Sequence, residues 1–185
     1  FKALGGAYAI ERLVARRGGV DGLVVTSATD GNHGRSVAWG AQRLGIRCII
    51  YVHATVSQGR VDAIAAYGAE VRRVPGNYDD AVRAAARAAD ENGWVVVSDT
   101  SWPGYEEIPK DVMQGYAVMA MEAAGQSGDG VPTHIFLQGG VGGVAGLRLR
   151  HRGLVQRLAA ESHRPGREVE AAKIVRVRVE FGRHR

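Results

Sequence analysis

The sequence predicts an α/β fold, a mostly parallel sheet flanked by helices, on three observations. Short apolar runs rich in β-branched residues recur at 22–26, 47–52, 69–74, 94–97 and 133–138. Amphipathic stretches at helical spacing lie between them, at about 33–44, 57–67, 78–92 and 106–124. The connections are short, and strands alternating with helices in this way build parallel sheets covered on both faces.

Taken in order, Ala7 to Arg17 carries Ile10, Leu13 and Val14 on one face and reads as a helix ahead of the first strand. Gly22-Leu23-Val24-Val25-Thr26 is bounded by glycine and reads as a buried strand, and Val37, Ala38, Ala41 and Leu44 recur at helical spacing after it. Cys48, the only cysteine, sits in the apolar run Cys48-Ile49-Ile50-Tyr51-Val52, which makes it a packed strand residue with no activating base in sight. Ligands of such sheets bind beyond the carboxyl ends of the strands. The loops at 27–34, 98–106 and 138–143 are therefore expected to share one edge. From about Leu147 the chain becomes arginine-rich with few strand signals until Ile174 to Val179.

The chain has 185 residues, 45% of them hydrophobic and 23% charged, the composition of an ordinary globular domain. No apolar run reaches the roughly 18 to 20 residues that span a bilayer, and no signal-peptide pattern opens the chain. A cytoplasmic enzyme without a membrane partner is expected. The net charge of +5 is unevenly placed: residues 148–185 hold 11 basic and 4 acidic groups, and the rest hold 13 and 15. The core is not basic, so no nucleic-acid partner is expected. His33, His53, His134, His151, His163 and His184 have no metal-ligand spacing and no cysteine partners, so no metal site is expected.

Four segments carry chemistry. Ser27-Ala28-Thr29-Asp30-Gly31-Asn32-His33-Gly34 joins a strand to a helix whose first turn has free N–H groups. Ser27, Thr29 and Asp30 read either as caps and turns or as a polar grip on a ligand, and Asn32 as a ligand donor or a helix cap. Gly139-Gly140-Val141-Gly142-Gly143 follows an apolar run and precedes a helix start. Its glycines allow consecutive N–H groups to close on a phosphate, or simply make a tight turn. Gly140 to Ala145 also fits the dinucleotide fingerprint in its alanine-ending form. The acid expected about 20 residues on would be Glu161, which no strand precedes. Lys2 stands before a glycine pair and is one of three lysines among 24 basic residues. Alone it reads as a solvated terminal residue, although a desolvated lysine can bond an aldehyde cofactor. Asp99, at a strand end before Trp102 and Tyr105, reads equally as an acid-base group and as an Asx turn under an aromatic lid.

Together, Phe1-Lys2-Ala3-Leu4-Gly5-Gly6-Ala7-Tyr8, Thr29 to Gly34, Asp99-Thr100-Ser101-Trp102-Pro103-Gly104-Tyr105 and Gly139 to Gly143 resemble the diaminopropionate ammonia-lyases, a family of fold-type II pyridoxal-phosphate enzymes. The likeness covers roughly residues 1–146. The glycine-asparagine-histidine loop is common to fold-type II enzymes, and Asp30 with the Asp99 to Tyr105 run points to this member. The resemblance implies a tryptophan synthase β-like fold, with a smaller α/β domain at 23–126, parts of the larger cofactor-binding domain at 1–22 and 127–150, and a basic tail of doubtful fold at 151–185. It implies pyridoxal 5'-phosphate as cofactor, held covalently by Lys2, contacted at its phenolic oxygen by Asn32 and cradled at its phosphate by Gly139, Gly140, Val141, Gly142 and Gly143. Asp30 and Asp99 would flank an amino-acid substrate and take the α-proton of the D and L forms respectively. The implied reaction is α,β-elimination of 2,3-diaminopropionate to pyruvate and ammonia in a homodimer.

Family members carry a sizeable segment before the cofactor lysine and further strands after the glycine loop. The chain is therefore expected to be a truncated, inactive copy whose residues 147–185 are frame-shifted or degenerate. Two other readings compete. A threonine or serine dehydratase would share the fold, but usually carries a small residue at the place of Asp30. A nucleotide-binding module would use the Gly140 loop.

Overall fold

The computed structural model describes residues 1–126, 134–139 and 173–178. It divides into two compact units, 1–115 and 116–185, each described by itself.

The first unit is built on a four-stranded parallel sheet in the order β3-β2-β1-β4, with β1 at Val24–Ala28, β2 at Arg47–His53, β3 at Glu70–Val74 and β4 at Val95–Val96. Every expected strand of this unit is present. The first lies two residues later than the apolar run suggested, because Ser27 and Ala28 pair with Ile50 and Tyr51 and belong to the ladder. β4 has only two paired residues, extended by a 2.7 Å bond from Val97 N–H to the Thr26 carbonyl. Val25, Ile49, Ile50, Val52 and Val97 are wholly buried, and burial of such side chains drives this sheet together at about 1.5–3 kcal/mol each.

Helices α1 (Lys2–Arg17), α2 (Asn32–Arg43), α3 (Gln58–Ala65) and α4 (Tyr78–Asn92) occupy the expected stretches, and α5 spans Glu107–Gln126. α1 begins at Lys2, five residues before the expected start, and so runs through Gly5 and Gly6, poor helix formers at about 1 kcal/mol each relative to alanine. Close packing explains them, Gly5 against Gly115 of α5 and Gly6 against α2. A Cβ at Gly6 would collide with the Ser36 side chain, and one at Gly40 would lie 2.7 Å from the Ala7 Cα. The Ser36 hydroxyl donates to the Ala3 carbonyl at 3.0 Å across this close approach. The contact fixes the first turn of α1 against the first turns of α2.

A second tie holds the far end of α1. Asp111, buried on α5, accepts from Arg16 at 2.6 Å, and the hydrogen bond to this carboxylate is the chief cause raising the Arg16 guanidinium above its ordinary value. α4 starts with a capping box in which Asn77 and Asp80 exchange backbone N–H bonds.

The order β3-β2-β1-β4 reverses direction at β1, so the chain leaves β1 and β4 toward opposite sides. Such a switch point opens a crevice at the carboxyl ends of the two strands. The loops after β1 and β4 meet there. Of the third expected loop, residues 140–143 lie outside the described residues. That loop follows β5 (His134–Gly139), which pairs antiparallel with β6 (Lys173–Arg178) in a separate two-stranded sheet of the second unit. Among the described residues no helix is long and apolar enough to cross a membrane.

Candidate active site

The loop after β1 is organised by Thr29. Its buried hydroxyl accepts from the N–H of Gly31 at 2.9 Å and of Gly34 at 3.0 Å, so Thr29 serves the start of α2. Asp30 and Asn32 make no cap there. Gly31, the N-cap, has φ 150° and ψ −75°, open to glycine and strained for any L side chain. That backbone turns Asp30 out to solvent and sets Asn32 as the first helical residue. Asn32 lines a cleft of about 450 Å³ with Phe1, Lys2, Ala3, Arg35 and Ser36.

Lys2 opens α1, and its ammonium donates to Asp99 Oδ2 at 2.5 Å, a contact between residues 97 apart in sequence. The Lys2 side chain is 27% exposed and that of Asp99 11%. Burial pushes the Asp99 carboxyl up; the charge of His33 when that imidazole is protonated, and the hydrogen bond and charge of Lys2, outweigh it and hold the group below its ordinary value. Asp99 is therefore ionised at neutral pH.

Two residues absent from the sequence-based site hold this corner. His33 is buried, and its Nε2 donates to the Val97 carbonyl at 2.9 Å. Its Nδ1 then faces Asp99 Oδ2 at 3.8 Å with no hydrogen-bond partner among the described residues. Burial lowers the imidazole's proton affinity, with the Lys2 charge adding to the effect and Asp99 opposing it. Tyr105 clamps the other side, where its hydroxyl donates to the Val96 carbonyl at 2.7 Å and accepts from the Ser98 N–H at 2.9 Å. Burial is the main cause raising its phenol. Trp102 stacks on the Tyr105 ring at 3.9 Å and is itself exposed.

Asp30 lies on the neighbouring loop and accepts from His53 Nε2 at 2.9 Å. The phenol of Tyr78, at the start of α4, is raised first by burial and next by the charges of Asp99 and Asp30, so both carboxylates act on one place. Lys2 and Asn32 line the cleft, Asp99 pairs with Lys2, and Asp30 pairs with His53 on the neighbouring loop. Of the expected phosphate cradle, Gly139 ends β5, and Gly140, Val141, Gly142 and Gly143 lie outside the described residues. Cys48 is buried in β2 and its thiol is pushed up to about 12 by burial, which makes it inert.

An amine beside a carboxylate, with a side-chain amide in the same cleft, suits a carbonyl-bearing ring cofactor. The sequence pattern described as pyridoxal-phosphate dependent enzyme matches residues 1–167. The chain belongs to the pyridoxal-phosphate dependent enzyme family. Within it, the chain is 46% identical over 163 residues to a diaminopropionate ammonia-lyase of Escherichia coli, covering 79% of this chain and 41% of that one. It is 30% identical over 142 residues to a biosynthetic L-threonine dehydratase of Salmonella typhimurium, covering 77% of this chain and 26% of that protein. The crystal structure of the E. coli ammonia-lyase in its apo form superimposes with a TM-score of 0.76 at 47% identity, over 79% of this chain and 43% of the other. The same enzyme in complex with an aminoacrylate–PLP azomethine reaction intermediate gives a TM-score of 0.75. The chain thus spans about two fifths of the length of the ammonia-lyases it matches. Its fold is that of the fold-type II enzymes, and its cofactor is the family's pyridoxal phosphate.

Proposed function

We propose that these residues form the cofactor and proton-transfer face of a diaminopropionate ammonia-lyase, which converts D- and L-2,3-diaminopropionate and water to pyruvate and two ammonia. The observation that carries the reading is the 2.5 Å pairing of Lys2 with Asp99 beside a cleft lined by Lys2 and Asn32. Identity of 46% to an ammonia-lyase, against 30% to a dehydratase, supports that substrate class.

Lys2 would hold the cofactor through its amine and Asn32 would orient the ring through its side-chain amide. The cofactor, when bound, supplies an electron sink for the charge released at the substrate α-carbon. Asp99 keeps the Lys2 ammonium aimed into the crevice and, once that amine is engaged, is free to take an α-proton at its own face. Asp30 takes the α-proton presented at the opposite face. Two carboxylates on two loops account for a substrate of either hand. Gly139, Gly140, Val141, Gly142 and Gly143 would hold the cofactor phosphate. The division into a smaller domain at 23–126 and parts of a larger one at 1–22 and 127–150, the homodimer and the cytoplasmic location belong to the same reading.

Pyruvate and ammonia release from D- and L-diaminopropionate, measured beside serine and threonine, tests it. Preference for serine or threonine replaces the ammonia-lyase with a dehydratase. The visible absorbance of cofactor-loaded protein should disappear in Lys2→Ala, and its persistence would remove Lys2 from the role.

A further inference from the structure

Asp30 is held by more contacts than its exposure requires. β1 and β2 run parallel with Ala28 opposite Tyr51, so Asp30, just past β1, and His53, the last residue of β2, come to the same edge. Asp30 Oδ1 accepts from His53 Nε2 at 2.9 Å. An ionised carboxylate can only accept, so Nε2 carries the proton and Nδ1 presents its lone pair to the Thr55 hydroxyl, 3.0 Å away, which donates. Both imidazole nitrogens are thus partnered, with the proton placed on Nε2 by the acceptor-only carboxylate and the ring held by the Thr55 hydroxyl, which can donate to Nδ1.

The backbone around this trio is pinned as well. Arg73 donates to the carbonyls of His53, Ala54 and Val56 at 3.3, 2.8 and 2.7 Å, closing the loop that carries His53 and Thr55. Arg60 donates to the Asp30 carbonyl at 3.2 Å. The Asp30 side chain is 67% exposed, and a pair that exposed adds little to stability. What the contacts do is restrict the direction of one carboxylate. Sequence spacing does not reveal this pairing, because 23 positions separate the two residues and only the strand register joins them.

We propose that His53, its ring held by Thr55, is a positioning residue that aims the Asp30 carboxylate at the substrate face opposite Asp99. The proposal rests on the proton-transfer role of Asp30 given above. It makes His53 matter for one enantiomer and not the other, since Asp99 has its own imidazole and no contact with His53.

The imidazole nitrogen NMR spectrum of the whole chain tests the geometry without turnover. His53 is expected as the Nε2–H tautomer, and Asp30→Asn, whose amide can donate as well as accept, is expected to mix the two tautomers. In turnover, His53→Ala should lower kcat for D-diaminopropionate by about tenfold to a hundredfold, the scale of a misaimed catalytic group, with KM and the L rate little changed. His53→Gln, whose side-chain N–H can reach the same carboxylate, should restore most of the D rate. An Nδ1–H tautomer, or an equal loss for both enantiomers, overturns the proposal. Absence of turnover of either enantiomer by the unaltered protein overturns the ammonia-lyase reading instead, and the tautomer then decides the His53 pairing alone.

Discussion

Asp99 and Asp30 stand at the ends of adjacent strands and are built in opposite ways. Asp99 is nearly buried, hydrogen-bonded to the Lys2 ammonium at 2.5 Å and faced by a buried imidazole with which it makes no hydrogen bond. Asp30 is mostly exposed and hydrogen-bonded to a satisfied imidazole. In the dry corner charge does the work, since Coulomb interactions are strong where water is excluded. In the wet one, where charge is screened, orientation has to come from a network of donors. The same side chain is thus fixed once by electrostatics and once by geometry.

The largest test of this contrast removes each charge in turn. Asp99→Asn should lower kcat for L-diaminopropionate by about 10²- to 10⁴-fold, the usual worth of a positioned general base. It should also slow the D form, because Lys2 loses the partner that aims it. Asp30→Asn should lose the D reaction on a similar scale and leave the L form nearly intact. Steady-state rates on both enantiomers check this, and an L reaction insensitive to Asp99→Asn would end the two-faced assignment.

Next in size is Tyr105→Phe. It leaves the Val96 carbonyl and the Ser98 N–H without the hydroxyl that joins them, so about 1–3 kcal/mol of stability should be lost. The denaturant midpoint should fall, and the cofactor should bind more weakly because the turn carrying Asp99 is released. A midpoint equal to that of the unaltered protein would mean the clamp is redundant.

These contrasts also mark what the sequence could show. The strands, the helices and the loops at 27–34 and 98–106 were legible because each is a local pattern: a β-branched run, a helical period, a glycine beside a polar residue. Asp30, Asn32 and Asp99 stood out as ligand-ready on the same grounds, and Lys2 only by its resemblance to a family. The groups that tune them were not legible. His33 reaches Val97 across 64 positions and His53 reaches Asp30 across 23. No period or spacing encodes such meetings; the sheet order creates them. The helix start at Lys2 was missed for a related reason, since glycine's poor propensity is overridden by a packing partner that only the tertiary structure supplies.

A smaller effect is expected where Thr29 organises the wet side. Thr29→Val keeps the shape and removes the acceptor for two buried N–H groups, so stability should drop by about 1–2 kcal/mol, the cost of a lost cap. Disorder of the Asp30 loop should lower the D rate more than the L rate. Equal rates would show that Arg60 and His53 suffice to hold Asp30.

The smallest effect concerns the dry side in mild acid. His33 is buried, and its proton affinity is lowered first by burial, with the nearby Lys2 charge adding to it and Asp99 opposing. Between the ordinary histidine value, about 6.5, and its lowered folded value, the unfolded chain binds a proton that the folded chain does not, so stability rises with pH there. The contribution is fully present above about 6.5 and is lost as pH falls toward the lowered folded value. Asp99, held below the ordinary carboxylate value, adds its own loss only in stronger acid, so the two are separable by pH. His33→Gln, which keeps a donor for the Val97 carbonyl and cannot titrate, should flatten urea midpoints between pH 7 and 6. An unchanged slope in that variant would place the acid sensitivity elsewhere and leave Lys2 as the sole charge governing Asp99.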